Sequence, residues 1–280
     1  MKKINTLSII INIIFLLVVL TNVQASDRQW QNPLPDGNHF NSVWGISNNN
    51  VFAVGDNGAI FHYNGNSWED MSGIVYTNLT KVWGSSSRDV FAVGDGGTVL
   101  HYNGFGWEEM WQPTFENFTG LWGSSGRNVF AVGENGTILH YDGYNWEQMA
   151  GSYEGLYDIW GTSGKNIFAV GDSGTILHYN GNNWNNISQD IRSENFNSIW
   201  GTSGKNIFAV GDNGTILNFN GKTWKDMSGI TTENILSVSG SSAANIYIVT
   251  GSGAIYKYDG STWKNIKRYC GSSQFYIGKY

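Results

Sequence analysis

The chain has one cysteine, Cys270, three prolines, and charged side chains at only 14% of its 280 positions. A lone thiol cannot close an internal disulfide, so the fold must be held by packing alone. With so little proline and 37 glycines, turns rest on Gly and Asn. Basic residues are few: 16 Lys and Arg stand against 22 Asp and Glu, a net charge of −6. An acidic chain without a basic stripe is poorly suited to nucleic acid, and anionic membrane surfaces repel it. Apolar residues at helical spacing are missing from residues 41–264, which excludes a helical solenoid.

One long apolar run exists, Ile9 to Leu20, broken by Asn12. Lys2 and Lys3 precede it and Val23-Gln24-Ala25 follows, so residues 1–25 read as a secretory signal peptide cut before Ser26. The run is shorter than the roughly 20 residues a membrane span needs. The expectation is an exported chain, residues 26–280, that is periplasmic, secreted or on the cell surface. No integral membrane span is expected after cleavage. Losing Lys2 and Lys3 takes the net charge from −6 to −8.

What is present is a repeat. Phe52, Phe91, Phe130, Phe168, Phe208 and Tyr247 mark six copies of a block of about 39 residues over residues 41–264, at steps of 39, 39, 38, 40 and 39. This period, filled with short apolar runs, points to a propeller. In the first copy Ser42-Val43-Trp44 is a short strand, and Val51-Phe52-Ala53-Val54 is a second, apolar on both faces. Asn57-Gly58 between apolar runs predicts a type I′ hairpin with positive φ at both central residues. Ala59 to Tyr63 and Ser67 to Met71 supply the third and fourth strands. Four antiparallel strands per repeat make a blade. The fold class is all-β, a β-propeller of four-stranded blades.

Blade number follows from the ends. Asp27-Arg28-Gln29-Trp30-Gln31 resembles a fourth strand, with Trp30 one period before Trp68. Tyr269 to Gly278 echoes a first and a second strand. Seven blades are expected, the last a composite of both ends, with six as the alternative. A composite blade would hide strand edges.

The WGSSxxxVFAVGDxGTILHYDGxxW pattern resembles exported propellers of the BNR/YVTN, WD40-like superfamily, which includes Asp-box sialidases and photosystem II assembly-type propellers. The turns Asn64 to Trp68, Asp142 to Trp146 and Asp259 to Trp263 match the Asp-box in blade position, Gly and Trp, but lack its leading Ser/Thr and its acid spacing. The resemblance implies the propeller fold, while function must be argued from the site.

Several residue sets are candidates. The fourth-strand tryptophans, Trp68, Trp107, Trp146, Trp184, Trp224 and Trp263, and the first-strand set, Trp44, Trp83, Trp122, Trp160 and Trp200, read as wedges between blades. Asp56, Asp95, Glu134, Asp172 and Asp212 follow each second strand. Their ordinary role is to bind turn amides; their functional role would be a carboxylate ring at the channel mouth. His62, His101, His140 and His178 lie on third strands that adjacent blades hold on the order of 14 Å apart, too far for zinc ligation at about 2.0–2.1 Å. No metal or cofactor is called for. Sialidase chemistry would need an arginine triad, yet Arg88 and Arg127 fall in first-to-second strand loops on the opposite rim. Symmetry breaks in the fourth-to-first loops, where Trp111, Phe115, Phe118, Tyr153, Tyr157, Arg192 and Phe196 are candidates for recognition. The sequence favours an exported, non-catalytic module that binds a protein or cell-surface partner. A carbohydrate-active protein, lectin or degenerate glycosidase with a surface glycan as ligand, is the alternative.

Overall fold

A computed structural model describes residues 39–152, 154–188 and 194–266. They form six antiparallel four-stranded sheets, each with its strands in chain order. The blades span residues 40–70, 79–109, 118–148, 156–186, 196–226 and 235–265. First strands lie against first strands of the neighbouring blades and so stand innermost, while fourth strands form the outer edges. The architecture is a β-propeller. Six complete blades match the alternative count. The signal peptide, the strand expected around Trp30 and those expected between Tyr269 and Gly278 lie outside the described residues.

The apolar second strands explain the stacking. Val51 to Val54, Val90 to Val93 and Val129 to Val132 are buried on both faces, as a strand covered from both sides must be. Five hydrophobic clusters join the six blades in succession. Each is centred on a second-strand ring. Phe52 meets Tyr102 and Trp107 of blade two at 5.4 and 6.0 Å between ring centroids. Phe91 meets Tyr141 and Trp146 of blade three at 5.5 and 6.3 Å. Phe208 repeats the pattern with Tyr258 and Trp263 of blade six. The indoles stand edge-on, and the Nε1–H groups of Trp107, Trp146, Trp184, Trp224 and Trp263 are buried without a hydrogen-bond acceptor. Edge-on indoles against ring faces are a recurring weak contact.

The hairpin expectation holds in detail. Asn57 and Gly58 have φ of 55° and 72°, and the Ala59 N–H donates to Asp56 O at 3.1 Å. The first strands are longer than the sequence reading allowed. The first runs Phe40–Ser47, with register shifts at both ends. Each shift leaves one residue, Asn41 and Ile46, out of the ladder and bends the strand there.

First-strand tryptophans need glycine on the next blade. A Cβ on Gly84 would lie 2.7 Å from Trp44 Cη2, one on Gly123 2.5 Å from Trp83 Cη2, and one on Gly240 2.5 Å from Trp200 Cη2. Blade six has Ser239 where the others have this tryptophan. Overpacking of a filled core costs about 1–3 kcal/mol, so Gly123→Ala should destabilise by that amount in urea melts. In a Trp83→Ser background the same change should cost less, and equal costs in both backgrounds would show that the ring is not the obstacle.

Candidate functional site

The second-to-third turns and the fourth-to-first loops share one face. Each loop folds back on a turn: a Cβ on Gly58 would lie 2.0 Å from Val75 O, and one on Gly97 2.3 Å from Thr114 O. The carboxylates sit at this face, beside the inner strands, and each has a partner. Asn41 Nδ2 donates to Asp56 at 2.7 Å, Asn78 to Asp95 at 3.0 Å, Asn117 to Glu134 at 3.1 Å and Asn197 to Asp212 at 3.0 Å. In blade four Tyr157 replaces the amide and donates to Asp172 at 2.6 Å. Burial raises the Tyr157 hydroxyl pKa well above its ordinary value, helped by the Asp172 hydrogen bond and the charges of Asp172, Glu134 and Asp212.

Polar residues near the start of the first strands, Asn41 and Asn197 among them, also fasten blade to blade. The second residue of a first strand donates to the first carbonyl of the next: Asn41 to Leu79 O at 3.1 Å, Thr80 to Phe118 O at 2.6 Å, Thr119 to Leu156 O at 2.5 Å and Asn197 to Ile235 O at 3.0 Å. The asparagine ahead of a first strand caps the previous blade's turn, as Asn78 Oδ1 accepts from Asn57 N at 3.1 Å.

The third first-strand position was missed in the sequence. It reads Ser42, Lys81, Gly120, Asp158, Ser198, Ser237 around the channel. Lys81 Nζ lies 3.8 Å from Asp158 Oδ1, joining blades two and four past the bare Gly120. Asp158 Oδ2 also accepts from Ser198 Oγ at 2.8 Å and Ile199 N at 3.0 Å. Comparing this one column across the repeat shows two opposite charges, and only the folded arrangement shows that they meet.

The rim candidates divide. Trp111 and Phe115 are 75% and 89% exposed, joined by Tyr76 at 84%. Phe118 and Phe196 correct the sequence reading: each opens a first strand, not a loop, and is wholly buried. Tyr157 also lies on a first strand and is held by Asp172. Tyr153 and Arg192 lie outside the described residues. Two more exposed rings, Phe105 at 95% and Tyr144 at 76%, stand in third-to-fourth turns of blades two and three. Among the described residues every exposed Trp, Tyr or Phe falls between Tyr76 and Tyr144.

The histidines stack on the second-strand phenylalanines of their own blades, 4.3 to 4.4 Å between centroids. His101, His140 and His178 bond Asp89, Asn128 and Asn166 at 2.7, 2.6 and 2.7 Å. Asn218 makes the equivalent bond to Asn206 at 2.9 Å. No group of three or more metal-ligating side chains occurs among the described residues. Arg88 and Arg127 pack their stems against Gly104 and Gly143, turns of the opposite face. In the Asp-box-like turns Asp142 accepts from Tyr144 N and Asn145 N at 2.8 Å each, and Asn64, Asn180 and Asn220 do the same in theirs. An amide serves as well as an acid, which marks the position as structural.

No protein-family profile and no curated protein matches the sequence. Solved structures do match in fold. YCF48 from Cyanidioschyzon merolae superposes with a TM-score of 0.67 at 15% identity, covering 83% of this chain and 86% of that one. YCF48 bound to D1 peptide gives 0.68 at 16%, covering 83% of each. The RRP9 WD40 repeats give 0.68 at 8%, covering 84% and 81%.

Two expectations follow. Asp158→Ala strands the Ser198 hydroxyl and the Ile199 N–H, an expected loss of about 1–3 kcal/mol. Lys81→Ala removes a long, partly exposed ion pair, about 0–1 kcal/mol. Chemical denaturation should rank them in that order. Burial lowers the pKa of His62, His140 and His178. The unfolded chain then binds more protons, so stability falls as pH drops through about 6.5 and keeps falling until the folded pKa values are passed. His140→Asn with His178→Asn, copying Asn218, should flatten the melting temperature between about pH 7 and 5. An unchanged slope would assign the acid sensitivity elsewhere.

Proposed function

We propose that this chain is an exported, non-catalytic propeller that presents an interaction surface to a protein partner. One observation carries the reading. An otherwise repeated frame gathers all its described exposed aromatic rings in blades two and three and the loops that follow blades one and two. Aromatic rings on a rigid scaffold are the usual anchors of protein interfaces. The ring of carboxylates supports a non-catalytic role, because each is engaged by a neighbouring amide or phenol. The YCF48 structure with D1 peptide supports the same class, a propeller that receives a peptide. Export rests on the apolar run and cut site at residues 1–25.

The carbohydrate alternative keeps one point in its favour, since exposed Trp111 stands near Glu108 and Glu109 and rings beside carboxylates also suit a sugar. In-cell cross-linking with mass spectrometry tests the main reading. Trp111→Ser with Phe115→Ser should leave the melting curve in place and abolish the cross-linked partner. Identical cross-links from the variant, or selective binding on a glycan array, would overturn it.

A further inference from the structure

Fourth strands carry the chain's charge asymmetry. Blades one to three read Trp68-Glu69-Asp70, Trp107-Glu108-Glu109 and Trp146-Glu147-Gln148, whereas blades four to six read Trp184-Asn185-Asn186, Trp224-Lys225-Asp226 and Trp263-Lys264-Asn265. The residues after each Trp are exposed. A groove of about 270 Å³ runs down the outer wall between blades two and three, lined by Glu108, Glu109, Trp111, Tyr144 and Trp146 among others. Two of these residues break the repeat. Trp111 stands where Ser72, Ala150, Ser188 and Ser228 stand in other copies, and Tyr144 where Asn66, Asn182, Lys222 and Ser261 stand, with Phe105 of blade two the other aromatic in that column. Ser72 and Ser228 close back on the third strand, donating to Ile60 O and Ile216 O, whereas the Trp111 ring is 75% exposed. The corresponding groove between blades four and five, about 380 Å³, is lined by Lys222 and by no carboxylate.

We infer that the groove between blades two and three binds an arginine side chain of an extended basic segment in the partner. This deepens the protein-binding reading and rests on it. Ring faces attract a cation within about 6 Å of their centroids. A guanidinium is planar and stacks on such a face while its N–H fork pairs with carboxylates, which a lysine ammonium does less well. Glu108 is steadied by Asn103 Nδ2 at 3.1 Å, so one acceptor is already oriented. The net charge of −6 favours encounter with a basic segment.

The test is calorimetric titration of the purified protein with a capped peptide of alternating Gly and Arg, compared with Gly-Lys, Gly-Gln and Gly-Glu peptides. The Arg peptide should bind best, and more weakly as salt rises. Glu108→Gln with Glu109→Gln should weaken it about tenfold or more, and Trp111→Ala about two- to fivefold. Glu69→Gln with Asp70→Asn, which removes like charge from blade one, should leave binding unchanged, as should Lys222→Ala. Equal loss from the blade-one pair would make the attraction diffuse and overturn the proposal, as would a Gln peptide that binds as well as the Arg peptide. If the Arg peptide fails while Trp111→Ser with Phe115→Ser still abolishes the cellular cross-link, this inference falls and the protein-binding reading stands.

Discussion

The interlock of aromatic rings between blades is the contact on which everything else rests. A second-strand phenylalanine is stacked from its own blade by a histidine, then met by the tyrosine or phenylalanine and the tryptophan of the next. Each such ring pair adds about 0.5–1.5 kcal/mol beyond the area it buries. No blade covers its own second strand, so the energy of the fold lies at boundaries and stability is a sum over neighbours. A chain held this way has no need of disulfides, which agrees with its single cysteine. The polar latches work in the same direction. Asn41, Thr80, Thr119 and Asn197 each satisfy a carbonyl of the following blade.

A frame so uniform makes departures from it informative. The rings that face solvent and the paired acids of the outer strands fall in the same half of the molecule. The second half repeats the frame with Asn185-Asn186, Lys225-Asp226 and Lys264-Asn265 in its outer strands. The core chemistry of the two halves is alike, so the difference lies in what each half offers to water and to partners.

The period, the blade and the two-residue hairpin were legible because they are local: spacing, apolar runs and Asn-Gly dictate them without tertiary knowledge. The loops were less legible. Phe118 and Phe196 looked like loop aromatics because each first strand was begun too late, with its first polar residue taken for a boundary. Leu79, Phe118, Leu156, Phe196 and Ile235 hold one column of the repeat, all buried, and the column says strand where the single copy says loop. Trp111 and Phe115 were read correctly as exposed, since no such apolar column contains them. The Lys81–Asp158 pair stayed hidden for another reason. It joins blades two apart, and only the side-by-side arrangement of inner strands brings them together.

The Trp-to-Gly insertion has a direction. Every first-strand tryptophan, Trp44, Trp83, Trp122, Trp160 and Trp200, reaches forward into the glycine of the following blade, and the series stops at Ser239. Copies of the unit are therefore interchangeable in the interior but not at the sixth place. A duplicated segment of the gene inserted ahead of that place would find a ready-made socket and a ready-made plug. The same segment inserted behind it would turn its glycine toward Ser239 and find no ring to fill the socket.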